Sequence, residues 1–256
     1  MAFDEVEERY RAPALDKGLD ILELLAETEE GLSQAEIAKA LSRSPNEIYR
    51  MLDRLVRRGY IARTASDRYE LTLKLFALAH RHAPMRRLVS QAMPILRDFA
   101  RAAGQSCHLA VYDRGEVIVV AQVDSPHYWG IAIRVGARVG LFDTGSGRIL
   151  LAHAAPAERN LMAEEHEMMP LETRPADLEA RLAEIARRGF EQMESRQTPS
   201  VVNLAVPILG PHNGIVAALT CPYVQRLDTA AVDQQAVLKL LIASGTAISA
   251  NAGAEQ

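Results

Sequence analysis

Two four-residue boxes eleven residues apart, Ser33-Gln-Ala-Glu36 and Ser44-Pro-Asn-Glu47, constrain this chain more than anything else in it. In an S-x-x-E box the serine hydroxyl takes the amide of the third helical residue, and the glutamate reaches back to the serine's own amide. Each box therefore marks a helix start. Pro45 fits the first turn, where no N–H is needed. Beyond the second box, Ile48, Met51, Leu52, Leu55 and Val56 recur at i, i+3, i+4, i+7 and i+8, a single apolar stripe. Asn46, Arg50, Arg54 and Arg57 fall on the opposite side, about one helical turn apart. The stripe belongs in a core, and the cationic side suits either solvent or the major groove of a duplex.

The surroundings favour the duplex. From Pro13, Leu15, Leu19, Ile21, Leu22, Leu24 and Leu25 predict a helix ending near Thr28, with Gly31 breaking it. The first box opens a short helix with Ile37, Ala38 and Leu41 inward, and only Ser42 and Arg43 separate it from the next, a helix-turn-helix spacing. The turn lacks the glycine often found there. After Gly59, Tyr60–Arg63 and Arg68–Leu71 alternate around a polar turn and predict a hairpin, the wing of a winged helix. Asn46 can pair bidentately with adenine, and Arg50 with guanine or a phosphate. Tyr49 can reach the sugar backbone or pack beside the turn. Ser33 and Gln34, with Arg43, Ser44, Arg54, Arg63 and Arg68, are placed for the backbone of the duplex.

Charge is distributed to match. Residues 39–68 hold eight lysines and arginines against three acidic residues, although the 256-residue chain carries a formal −4. A small basic domain on an acidic body is the footprint of a sequence-specific DNA binder. No apolar run approaches the roughly 18 residues of a membrane span. The acidic N-terminus is unlike a signal peptide. Cys107 and Cys221 supply neither a disulfide framework nor a zinc set. These features predict a cytoplasmic protein without membrane partners, metal or cofactor.

Several segments together resemble one family. Ala14–Leu25, Gly31–Ala38, Ile48–Leu52 and Arg58-Gly-Tyr60, then Cys107–Ala110, Val123–Pro126, Arg134-Val-Gly136 and Gly147–Ala152, are similar in order and separation to the IclR-type transcriptional regulators. The resemblance spans nearly the whole chain. It implies an α+β protein with an N-terminal winged helix-turn-helix, a linker helix and a C-terminal GAF-like effector-binding domain. It also implies homodimers, or dimers of dimers, on a (pseudo)palindromic double-stranded operator. The expected divisions are a flexible tail at 1–12, the DNA-binding domain at 13–72, the linker at 73–84 and the effector-binding, oligomerisation domain at 85–256.

The residues of the second half read compatibly. Leu71–His82 is helical in pattern until Pro84, and a second helix runs from Met85 to Ala103 with Pro94 expected to kink it. His80, Arg81, His82, Arg86 and Arg87 form a basic run on a solvated linker. From Ser106 the period alternates: Cys107–Tyr112 and Val117–Val123 predict a hairpin, and Ile131–Val135 a third strand. Helices are expected at 148–153, 157–165 and 176–187. Strands are expected at 189–194, 200–209 and 215–223, with a closing helix from about Asp228. Thr144-Gly-Ser-Gly147 ahead of a helix is a candidate anion turn. It is neither a Walker loop nor a dinucleotide fingerprint.

In family members that bind small oxo-acids, the resemblance implies a carboxylate on this turn. Carried over by position, the backbone contacts fall on Gly145 and Ser146. An acidic position falls at Met193, with Glu194 beside it, a cysteine at Asn203, and two serines at Ala218 and Thr220. The departures speak against a two- or three-carbon acid. His108 and Trp129 are further candidates for ligand contact, with packing as the alternative for each.

Three functional classes follow: a DNA-binding regulator, expected to be a repressor of a catabolic operon controlled by a small organic or sugar acid; an enzyme fused to a DNA-binding domain; and an effector-independent architectural protein. No G-x-S-x-G elbow, metal cluster or nucleophile–base pair supports the enzyme.

Overall fold

The computed structural model describes residues 12–79, 83–168, 172–226 and 232–254. The predicted tail, apart from Ala12, and His80, Arg81 and His82 lie outside the described residues. Two compact units divide between Ala83 and Pro84.

The first unit comprises α1 (Pro13–Ala26), β1 (Leu32–Ser33), α2 (Gln34–Ala40), α3 (Pro45–Arg57), β2 (Ile61–Arg63), β3 (Arg68–Leu71) and α4 (Lys74–Ala79). Both capping boxes form, on Ser33 with Glu36 and on Ser44 with Glu47. The turn between α2 and α3 manages without glycine because Ser42 takes the left-handed conformation at φ 50°, a local cost of about 1 kcal/mol. Ile21, Leu25, Ile37, Ile48, Leu52, Ile61 and Tyr69 make the core, so the predicted stripe of α3 is the buried one. The strands pair in the order β1-β3-β2. β1 is a pairing that sequence periodicity did not show, since two residues carry no period. Gly31, at φ +61°, admits no side chain because a Cβ there would lie 2.6 Å from Tyr69 O.

The second unit begins with α5 (Ala83–Ala103). It starts two residues earlier than predicted, with Pro84 in the first turn, where its missing N–H has no helical partner to lose. Pro94 lies inside the helix without ending it. An antiparallel six-stranded sheet follows, built from β4 (Cys107–Asp113), β5 (Glu116–Val123), β6 (Arg138–Val139), β7 (Glu191–Glu194), β8 (Val201–Leu209) and β9 (Ile215–Val224), in the order β6-β5-β4-β9-β8-β7. The strand expected over Ile131–Val135 does not form. Its groups are taken up singly, with Ser106 Oγ donating to Ile131 O and Ile133 N–H donating to Gln122 Oε1, and β6 takes the edge instead.

Strand alternation sorts the sheet's two faces. Cys107, Leu109, Leu204, Val206, Leu219 and Cys221 pack on α5 and on α9 (Gln234–Ala252). Ala110, Ala205 and Ala218 pack beneath α6 (Gly145–His153), α7 (Pro156–Glu167) and α8 (Leu178–Arg188). α6 starts at Gly145, three residues ahead of expectation, because Thr144 caps it. Gly147 is a steric requirement, and Gly145 is closely packed. A Cβ on Gly147 would lie 2.2 Å from Leu141 O, and one on Gly145 would lie 3.3 Å from the Ala205 methyl.

Two substitutions test these supports. Ser44→Ala should lower stability by about 1 kcal/mol through loss of the cap. Gly147→Ala should cost about 1–3 kcal/mol through the clash with the Leu141 carbonyl. Urea titration of the full chain measures both, and unchanged midpoints would contradict the assigned roles.

Candidate DNA-binding face and ligand cavity

The outer side of α3 is built by its own amphipathic pattern. With Ile48 and Leu52 fully buried, Asn46, Tyr49, Arg50 and Arg54 turn outward, and Arg43 is exposed just before the cap. Arg43, Arg50 and Arg54 make no ion pair among the described residues, whereas Arg57 is paired with Asp53 at 3.0 Å. Lys17 reaches Glu47 at 2.6 Å and ties α1 to the start of α3. That contact, with the Ser44 hydroxyl, holds the Glu47 carboxyl down at about 2. The glutamate is therefore occupied as a cap.

The other residues read from the sequence as backbone contacts are partly committed. Ser33 and Ser44 accept the amides of Glu36 and Glu47. Gln34 Nε2 donates to Pro45 O at 3.0 Å, joining the starts of α2 and α3. Arg63 is exposed but paired with Asp67 across the wing turn. Arg68 departs most from expectation. Its guanidinium donates to Gly31 O at 2.9 Å and pairs with Glu36 at 3.1 Å, so it buckles the wing to α2 rather than projecting outward.

In the second unit a cavity of about 510 Å³ opens at the N-terminus of α6, between the helix and the sheet face that carries His108, Asn203 and Thr220. Thr144 Oγ1 donates to Gly140 O at 2.6 Å and accepts the Gly147 amide at 3.1 Å. The amides of Gly145 and Ser146 have no carbonyl partner within the helix. Ser146 Oγ bonds Thr220 Oγ1 at 2.8 Å and His108 Nε2 at 3.3 Å, a buried polar chain across α6, β4 and β9. Burial pushes His108 down to about 4, which keeps the imidazole neutral. Its Nδ1 is buried without a partner. His108, whose facing the sequence left open, thus points toward the cavity side.

Gly145, Ser146, Asn203 and Thr220, the positions carried over from the family resemblance, line the same space. Three other candidates do not. Ala218 is fully buried beneath α6 in the packed core. Met193 pairs in register with Asn203, but on the edge strand, where it lines a neighbouring hollow beside Arg148 and Arg181. Trp129 is 55% exposed and lies outside the cavity lining.

The sequence reading missed an acidic end. Asp143, Glu172 and His166 also line the cavity. Glu172 accepts the Phe142 amide at 3.0 Å and the Leu141 amide, and its carboxylate lies 2.7 Å from His166 Nε2. Burial, and then the neighbouring Glu172, push Asp143 up to about 6. Only Asp143 had a local signal, since it immediately precedes the cap of α6. Arg148, 2% exposed, is structural: it donates to Phe142 O at 2.8 Å and pairs with Glu191. Among the described residues no group of three His, Cys, Asp or Glu is arranged to hold a metal. None of their helices is long and apolar enough to cross a membrane.

Comparison with known proteins places both halves. Residues 14–65 match the IclR helix-turn-helix domain, and residues 80–250 match the bacterial transcriptional regulator IclR C-terminal domain. The chain is 33% identical over 202 residues to the HTH-type transcriptional regulator BhcR of Paracoccus denitrificans, covering 76% of this chain and 71% of that protein. It is 26% identical over 212 residues to KdgR of Escherichia coli, covering 81% and 80%. Two crystal structures share the fold. One is an IclR homolog from Microbacterium hydrocarbonoxydans complexed with 4-hydroxybenzoate (TM-score 0.77, 24% identity, covering 93% and 98%). The other is the IclR of Thermotoga maritima (TM-score 0.74, 23% identity, covering 95% and 100%). The matched domains and these curated relatives are transcriptional regulators, not enzymes. The chain therefore belongs to the IclR family of DNA-binding transcriptional regulators.

Proposed function

We propose that the chain is a cytoplasmic repressor of a catabolic operon, released or tightened on its operator by a small carboxylic acid. The observation that carries this reading is the cavity at α6, lined by Gly145 and Ser146 at the helix N-terminus, where buried polar groups converge from neighbouring strands. A helix N-terminus is favourable for a carboxylate, because the amides donate to it and the helix dipole favours its charge. The space exceeds what a two- or three-carbon acid fills. The homolog crystallised with 4-hydroxybenzoate supports a carboxylate of larger size.

On the DNA side, α3 lies in a major groove with Asn46 and Arg50 toward base edges. Arg43, Ser44, Tyr49, Arg54 and Arg63, with Ser33 and Gln34 at the start of α2, lie toward the duplex backbone. The chain acts as a homodimer or a dimer of dimers. Supporting this, α1 leaves Leu15 and Leu19 exposed, and the α4 segment leaves Leu73 and Phe76 exposed, apolar area that a second copy can cover. A dimer matches a (pseudo)palindromic operator. A ligand that binds two dimer arrangements unequally shifts the spacing of the recognition helices, and that difference in affinity is all the control requires.

Arg50→Ala should lower operator affinity by about 1–3 kcal/mol if it reads a base, with the oligomeric state unchanged by size-exclusion chromatography. A gel-shift titration decides, and unaltered affinity would remove Arg50 from the interface. In the second unit, Asn203→Ala should abolish the thermal shift given by the effector. A full shift in that variant would place the ligand elsewhere.

A further inference from the structure

The hydrogen bonds of His166, Glu172 and Asp143, beside the cavity, can form only if protons lie between acceptors. His166, on α7, is buried, and its Nδ1 bonds the Gly115 carbonyl. A carbonyl only accepts, so that nitrogen carries hydrogen. Its Nε2 lies 2.7 Å from Glu172 Oε1. Neither a bare imidazole nitrogen nor a carboxylate oxygen can donate, so a proton lies between them. The Phe142 ring stands edge-on at 4.8 Å and fixes the imidazole plane. Glu172 is also hydrogen-bonded with Asp143. Two carboxylates repel, so this contact needs a proton of its own. A Cβ on Gly140 would lie 2.8 Å from both Glu172 oxygens and closer still to Asp143 Oδ1, so the pair closes over a glycine that leaves it room.

Asp143 immediately precedes the cap of α6 and lines the cavity with Gly145 and Ser146. The charges around it are committed or weak. Arg148 on α6 is held by Phe142 O and Glu191, and Arg138 on β6 is held by Glu116 on β5. Arg196, after β7, acts on Asp143 more weakly than burial and Glu172 do. His108 on β4 is neutral, and the polar groups that β8 and β9 bring to the cavity, Asn203 and Thr220, do not titrate. The pair accordingly keeps its shared proton up to about pH 6.

We propose that Asp143 and Glu172 form a proton-operated switch on anion binding: the protonated pair leaves the α6 turn open to a carboxylate, and loss of the shared proton sets an uncompensated negative charge beside the turn and weakens binding. This rests on the carboxylate reading of that turn and adds its control by pH. By linkage, an anion that favours the protonated pair takes up protons as it binds. Its affinity falls as pH rises through the titration of the pair and levels off above it.

Two measurements on the full-length chain test this. In the free protein, infrared difference spectra of wild type against Asp143→Asn should contain a protonated-carboxyl band that is lost on raising the pH, with a midpoint near 6. Glu172→Gln, whose amide can donate to the Asp143 carboxylate without a shared proton, should move that midpoint to lower pH. Calorimetric titration then uses 4-hydroxybenzoate and gluconate, both ionised over most of the range from about pH 5.5 to about pH 7.5. The expected result is proton uptake on binding and affinity about tenfold weaker at the upper end, one pKa unit of coupling. Asp143→Asn, an uncharged copy of the protonated residue, should bind without that dependence. Binding that is independent of pH in the wild type, or equally dependent on it in Asp143→Asn, overturns the inference and leaves the carboxylate reading standing. A free chain without the band overturns it as well. If neither acid binds at millimolar concentration at the acidic end, the carboxylate reading fails, and the inference falls with it.

Discussion

The first amides of any helix have no carbonyl partner inside it, and this structure is organised by how it answers that need at three helix starts. At α2 and α3 a serine takes the third helical amide and a glutamate reaches back to the serine's own amide, which fixes where each helix begins. At α6 Thr144 likewise takes the third amide, that of Gly147, but no glutamate closes a box, and Gly145 and Ser146 line the cavity. The same backbone chemistry recurs at all three starts, and the side chains around each differ.

The two regions are also electrostatically distinct. On α3, Arg50 and Arg54 make no ion pair among the described residues, while other arginines nearby are tied down: Arg57 by Asp53, Arg63 by Asp67, Arg68 by Gly31 and Glu36. In the cavity the balance is reversed, with carboxyl groups exceeding cations and a neutral buried imidazole at His108.

Most of the first unit was legible because its signals are local. Capping boxes, a 3.6-residue period and a polar turn each occupy a few consecutive residues, and the helices and wing appear where those signals lie. What depended on distant pairing was not legible. β1 exists only through its bonds to β3, and Arg68 turns inward only because that pairing presents the Gly31 carbonyl. In the second unit the alternation of β4, β8 and β9 was clear, but facing was not, so His108 was ambiguous until the sheet order fixed it. Ile131–Val135 had the composition of a strand and lacked a partner edge. The Thr144–Gly147 turn could be read directly. Glu172 could not, because a loop brings it to amides some thirty residues earlier in the chain, and no motif marks such a return. Of the family positions carried over one by one, Gly145, Ser146, Asn203 and Thr220 line the cavity, whereas Met193 lies on the edge strand and Ala218 beneath the helix.

The central claim, that the two unmatched amides of α6 receive a carboxylate, is open to direct observation. Labelling the full chain with nitrogen-15 glycine and serine, and titrating it with an acid that raises its melting temperature, reports on those amides individually. The account predicts that the Gly145 and Ser146 resonances move downfield and saturate with the binding curve, while that of Gly147, already bonded to Thr144, moves least. Saturating binding that leaves Gly145 and Ser146 unmoved, and shifts amides elsewhere, would contradict it.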